Sequence, residues 1–241
     1  MIRVSVCVAT YNGADFIIDQ LKSILRQLGT NDEVVISDDS STDDTVALIK
    51  SLNDGRIRIF EGQKFRSPIY NFENAISKAE GTYIFLADQD DIWLDGRVDK
   101  CLLFLGDNYD LVLNNCKIVD KDLHVISESF FEVNNSRKGV FNNLMKNSYL
   151  GCCLAFRKDI LPLILPFPKP IPMHDIWIGW VAELTLRIKF VEECLVLYRR
   201  HGKNESSSSE KSPFGIFRKM KFRWDVLKYV PLILVRRFKY R

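Results

Sequence analysis

The chain has 241 residues, 46% of them hydrophobic and 27% charged, which suits one large α/β domain with at most a small appendage and argues against disorder of the whole. Its net charge of +3 conceals an asymmetry: ten Lys or Arg against the single acid Asp225 between 211 and 241 make a local +9, leaving the first 210 residues at −6. An acidic body with a basic tail predicts an anionic partner for the tail.

In chain order, "IRVSVCVA" is rich in β-branched residues and predicts a core strand. "ADFIIDQLKSILRQ" follows with apolar residues at helical spacing, then the strand "EVVIS" and the helix "STDDTVALIKSL", which opens on Ser, Thr and two acids. "RIRIF", a helix around "PIYNFENAISKA" and the strand "TYIFLA" complete three β-then-α units, the pattern of a doubly wound, mostly parallel sheet with helices on both faces. The second half is mixed: a helix "RVDKCLLFLG", the strand "YDLVLNN", a hairpin around Lys121-Asp122, a helix near "FNNLMKN", a proline-rich loop "PFPKPIPM", a helix "HDIWIGWVAEL", and strands ending in "YRRHGKN". "ESSSSEKS" has the composition of a flexible linker.

The six cysteines, Cys7, Cys101, Cys116, Cys152, Cys153 and Cys194, include no C-x-x-C pair and read as small buried hydrophobes of a reducing compartment. No signal peptide is expected, because a strand begins at Ile2, and no apolar run reaches the roughly 18–20 residues of a membrane span. A cytoplasmic body is the expectation.

Open parallel sheets bind ligands beyond the carboxyl ends of their strands. Three such ends carry polar motifs: "TYNG" after the first strand, "DDSSTDD" after the second and "DQDD" after the fourth. Each alone is also ordinary turn or helix-start chemistry. For "DQDD", a solvated acidic turn and a divalent cation bound by carboxylates both account for a bare D-x-D. P-loop, G-x-G-x-x-G and EF-hand patterns are absent, so any phosphate bound here needs a metal rather than a glycine cradle. Trp93, Trp177 and Trp180 read as core rings by default, with sugar stacking the alternative.

In combination, "VSVCVATYNGADFIIDQLKSILRQ", "EVVISDDSSTDDT", "AEGTYIFLADQDDIWLDGRV" and "MHDIWIGW" resemble the inverting glycosyltransferase family 2, with the GT-A fold, over roughly residues 2 to 204. The resemblance implies a domain over 1–204, split into a nucleotide-sugar-binding half (1–120) and an acceptor-binding half (121–204). The linker is expected over 205–212 and a basic amphipathic tail over 213–241. It further implies a nucleotide site at Thr10, Tyr11, Asn12, Asp38, Asp39 and Asp88, with Mn2+ or Mg2+ on Asp90 of the D-x-D. Asp175 of "HDIW" matches the family's general base, where the family more often has Glu-Asp; His174 departs from that pattern. His201 is the candidate for a late metal ligand, a solvated turn histidine being the competing reading. Arg199 and Arg200 are alternative diphosphate contacts, Asp91 a helix cap, and Gly151 and Cys152 resemble an acceptor-side segment.

The motifs look most like rhamnosyltransferase-like members that build O-antigen or capsule, which gives dTDP-L-rhamnose as first donor and UDP-glucose or UDP-galactose as alternatives. The acceptor implied is a glycan on an undecaprenyl-diphosphate carrier at the inner face of the cell membrane. The tail interleaves Lys and Arg with Phe, Trp, Tyr and Leu, the composition of an interfacial helix on an anionic membrane. Nucleic acid is not expected, since no recognition motif accompanies the charge. A catalytically inactive membrane-bound scaffold and a metal-dependent phosphohydrolase are the readings from other classes.

Overall fold

The protein is described by a computed structural model over residues 3–202, 224–225 and 227–240. The expected linker at 205–212 and the first part of the tail, 213–223, lie outside the described residues. Strands β1 (Val4–Thr10), β2 (Glu33–Asp38), β3 (Ile57–Phe60) and β4 (Tyr83–Asp88) alternate with helices α1 (Ile17–Leu25), α2 (Thr45–Ser51) and α3 (Pro68–Ser77). Every residue of β2, and all but one of β1, is buried, so helices cover both faces of this half, as the unbroken apolar runs require.

The second half adds β5 (Ile92–Trp93), α4 (Arg97–Gly106), β6 (Leu111–Val119), β7 (Val125–Ser127), α5 (Phe130–Asn134), α6 (Val140–Met145), β8 (Leu154–Arg157), α7 (Leu161–Ile164), α8 (His174–Thr185) and β9 (Ile188–Arg199). The 187–204 stretch was expected to hold several strands; its described part, 187–202, forms one. That strand carries a bulge, opposite a shift of register at Asn115. The Asn115 side chain staples the irregularity, donating to Ser129 Oγ (2.9 Å) and Glu192 O (3.1 Å) and accepting from the main-chain N–H of Cys116 and Phe131. Neither β5 nor α5 was expected from sequence.

The described strands form one nine-stranded sheet in the order β3-β2-β1-β4-β8-β6-β9-β5, with β7 hairpinned onto β6. Strands β1 to β4 are parallel. β8 runs antiparallel to both β4 and β6, and β9 runs parallel to β6. The senses therefore alternate twice, and β9 ends at the same rim as β4. By the same logic β8 begins at that rim. The topology thus brings to one edge the loops after β1, β2, β3, β4 and β9 and the turn before β8.

The opposite edge is closed by polar bonds. Glu33, almost fully buried, accepts from Ser5 Oγ, from Glu80 N (2.7 Å) and from the Arg58 guanidinium, which joins the starts of β1 and β2 to β3 and the turn before β4. Gly81 donates its N–H to Ser5 Oγ (2.7 Å), and a Cβ there would lie 2.6 Å from Ser5 N and 2.8 Å from the Val4 carbonyl carbon. All six cysteines are free thiols and all but Cys194 are buried. Trp93, Trp177 and Trp180 are core rings.

Because backbone cannot yield as a flexible side chain does, Gly81→Ala is expected to cost about 2 kcal/mol or more in urea unfolding. Gly55→Ala is the control: it meets no atom within 4 Å and is expected to stay within about 0.5 kcal/mol of the parent.

Candidate active site

The rim loops enclose a cavity of about 1200 Å³. Thr10, Tyr11, Asn12, Asp39, Asp88, Asp90, Asp175 and His201 all line it, so the sites expected from sequence converge, with one exception. Asp38 is outside the lining. It is buried, and its carboxylate accepts from Thr10 Oγ1 (2.9 Å), Ser41 N (2.9 Å) and Ser41 Oγ (2.5 Å). Asp38 supports the floor rather than facing the cavity.

The loops are stapled to one another by polar side chains. Asn12, held at φ +48°, accepts at its side-chain oxygen from Thr42 N (2.8 Å) and donates its main-chain N–H to Ser41 Oγ (2.9 Å), joining the first and second loops. Gln89, the middle residue of "DQD", accepts from Tyr11 N (2.9 Å) and donates to Tyr11 O (3.1 Å), joining the first and fourth. Gly13 leaves room for that amide, since a Cβ at 13 would sit 2.3 Å from Gln89 Oε1. Asp39 accepts from Phe65 N (2.6 Å) and Ser67 N (3.2 Å), fixing the loop after β3.

That loop was missed in the sequence reading. It presents Lys64 and Arg66, both exposed and both lining the cavity beside Asp39. The signal was available, because "GQKFRS" follows the third strand at the same rim. Arg199 and Arg200, considered for the same role, do not line the cavity. Arg199 is buried, donates to Lys121 O (3.1 Å) and lies 4.7 Å from the Phe16 ring.

At the other end, Asp90 Oδ2 and His201 Nε2 lie 2.7 Å apart, and the imidazole stacks on Phe16 at 4.7 Å. Two ligands at about 2.1 Å from one cation, roughly at right angles, stand about 3 Å apart, so this pair fits one ion. Asp88, Asp91 and Cys152 also have ligand atoms within 4.8 Å of one another. Burial pushes the Cys152 thiol far up, and Asp91 accepts from Arg199 N (2.9 Å) deep beneath the cavity, so that grouping suits a hard, oxygen-preferring ion poorly. Asp91 anchors β9 and does not cap α4, whose preceding residue is Gly96.

Carboxylates crowd this end. Asp88 is pushed up to about 8 by loss of hydration and by the neighbouring Asp90 and Asp175 charges. Opposing them is Arg97, wholly buried against the Trp93 ring (4.0 Å), its Nη2 donating to Cys152 O (2.6 Å). Asp175, in the first turn of α8, is pushed up to about 7 by burial, partly offset by the Ile176 N–H (2.7 Å) and the Asn147 side chain. The adjoining His174 is buried, stacked on Phe72 (4.2 Å) and driven down to about 3 by desolvation, hence neutral. A Cβ at residue 151 would fall 2.6 Å from His174 Nε2, so Gly151 lets the first turn of α8 approach. Gly151 lines the cavity, while Cys152 lies buried behind it.

With this geometry in place, the family model for glycosyl transferase family 2 matches residues 5–164, about two thirds of the chain. The chain belongs to glycosyl transferase family 2. A family relative, the UDP-Glc:alpha-D-GlcNAc-diphosphoundecaprenol beta-1,3-glucosyltransferase WfgD of Escherichia coli, is 25% identical over 225 residues, covering 93% of this chain and 85% of that one. S. aureus TarS 1-349 in complex with UDP-GlcNAc superposes with a TM-score of 0.70 at 22% identity, over 98% of this chain and 66% of that one. The mannosyltransferase PcManGT of Pyrobaculum calidifontis, in complex with GDP-Man and Mn2+, gives 0.65 at 17%, over 98% and 69%. These likenesses show the fold, and the GT-A expectation is borne out.

Asp39→Asn replaces one acceptor with a donor against a main-chain N–H and is expected to cost about 1–2 kcal/mol. Truncating Lys64 or Arg66 to Ala should stay within about 0.5 kcal/mol, since neither exposed side chain supports the loop. Urea unfolding of the three variants checks the contrast.

Proposed function

We propose that this family 2 member is a metal-dependent inverting glycosyltransferase that moves a hexose from a UDP-sugar to a hydroxyl of a lipid-linked glycan in bacterial surface polysaccharide synthesis. The observation that carries the reading is the cavity itself. It holds a metal-compatible pair, Asp90 and His201, and a buried acid at the start of a helix, Asp175, within one enclosure. UDP-glucose is the first donor on this reading, because a relative covered over most of its length is named for that donor. The expectation of dTDP-L-rhamnose finds no counterpart in the relatives described, and the UDP-glucose alternative replaces it.

The nucleotide lies across Thr10, Tyr11, Asn12 and Asp39, with Asp88 toward the ribose and Lys64 and Arg66 at hand for its negative charge. Asp90 and His201 hold Mn2+ or Mg2+, which when bound supplies positive charge to the diphosphate. Asp175 takes the proton of the acceptor hydroxyl as that oxygen bonds to the anomeric carbon. The bond from that carbon to the diphosphate oxygen breaks on the opposite face, and the electron pair leaves with UDP. Tyr11 and Gln89 keep the first and fourth loops in register, and Asn12 ties the first to the second, which holds the nucleotide-binding side of the cavity together. The lipid carrier of the acceptor places the reaction at the inner face of the cell membrane, with the protein peripheral to it.

Asp175 works only when ionised. Its carboxyl holds the proton up to about 7, so kcat/KM is expected to fall on the acid side of pH 7 and level off above it. A screen of nucleotide sugars with Mn2+ and an undecaprenyl-diphosphate-linked acceptor should give transfer with UDP-glucose. Failure with every donor sinks the enzyme reading. Asp175→Asn should keep donor affinity and lower turnover by at least about a hundredfold; turnover within a few-fold of the parent retires Asp175 as base.

A further inference from the structure

The described part of the basic tail forms helix α9 (Val230–Lys239) and the turn that leads into it, and this segment has two apolar faces. One is docked. Ile233 is fully buried, Tyr229 meets Trp177 of α8 edge-on at 5.9 Å, and Leu232 packs on the core. Arg236 donates to Leu163 O (3.0 Å) and Pro166 O (2.8 Å), and Arg237 to Leu184 O (3.1 Å). The inner face thus grips α7 and both ends of α8, the helix that carries Asp175 in its first turn.

The other face is bare. Trp224, Leu227, Leu234, Val235 and Phe238 are all exposed, Trp224 at 68% and Phe238 at 86%. At about 100° per residue, Pro231, Leu234, Val235 and Phe238 of α9 fall within an arc of about 100°, opposite the docked set. Lys228 and Lys239, both exposed, sit along one border of that arc. A stripe of this size needs no water-facing role in a lone domain, and singly scattered exposed residues would not align so.

We infer that the outer face of α9 enters the headgroup region of an anionic lipid bilayer, making the helix a mount between the membrane and α8. Three observations choose lipid over a protein partner. The stripe mixes Phe with aliphatic residues and is preceded by the exposed Trp224, its border carries Lys239 and the Asp225-paired Lys228, and the tail holds ten basic residues against one acid. No helix among the described residues is long and apolar enough to cross a membrane, so the contact is one of lying on the surface. The assignment requires neither the donor nor the acceptor proposed above.

The test uses the full chain with mixed phosphatidylglycerol–phosphatidylcholine vesicles and with phosphatidylcholine alone. The parent should float with the anionic vesicles and partition at least about tenfold less onto the neutral ones. The Leu234→Ser, Val235→Ser, Phe238→Ser triple variant should lose at least about tenfold in partition, while its thermal midpoint and its transfer to a water-soluble acceptor analogue stay at parental values. Should that variant fold poorly, brominated lipids decide instead: they should quench the parent's emission, and quenching should fall in Trp224→Phe. Unchanged partition of the folded triple variant, unchanged quenching in Trp224→Phe, or a stripe-dependent dimer by light scattering each overturns the proposal.

Discussion

The structure is organised around a cost: Asp88, Asp90 and Asp175 face one partly dehydrated cavity, where like charges repel and water is scarce. A fold gains nothing in stability from such a cluster. Asp88 and Asp175 are accordingly held well above the ordinary carboxylate range, and the buried Arg97 relieves only part of the repulsion. Acids kept in this state in a cleft have the character of groups that hold a cation or take a proton.

What keeps the acids in place is a set of bonds made by their neighbours. Gln89 ties its loop to Tyr11, Asp38 pins Thr10 and Ser41, Asn12 reaches Thr42, and Asp91 takes the N–H of Arg199. The residues between and beside the ligand-facing ones thus hold the loops. This division explains how "DQDD" works as a unit: Asp90 opens to the cavity with His201, Gln89 locks the rim, and Asp91 fastens β9 from below. His201 arrives there only because β9 ends at that rim.

Much of this was legible in sequence, for identifiable reasons. Strands β1, β2 and β4 are apolar and largely buried, and amphipathic helices separate the first four strands, so local pattern and tertiary environment agree. The rim motifs could be read because a parallel sheet sends its carboxyl ends one way. Three things were not legible. Asp38 and Asp39 are adjacent, but strand geometry turns them in opposite senses, and only the packed loops reveal which one meets the cavity. Lys64 and Arg66 were marked only by their position at the third strand end, since "GQKFRS" matches no acidic or phosphate-loop motif, and that end passed for a connector. β5 is two residues long and exists only through its pairing with β9, about a hundred positions away in the chain.

The central claim is that Asp90 and His201 together bind the ion that anchors the donor's diphosphate. Calorimetric titration of UDP into the protein, with and without Mn2+, tests it most directly. Tight binding that appears only with Mn2+, and is lost in both Asp90→Ala and His201→Ala, is the predicted result. Equal affinity for UDP with and without the metal contradicts the account.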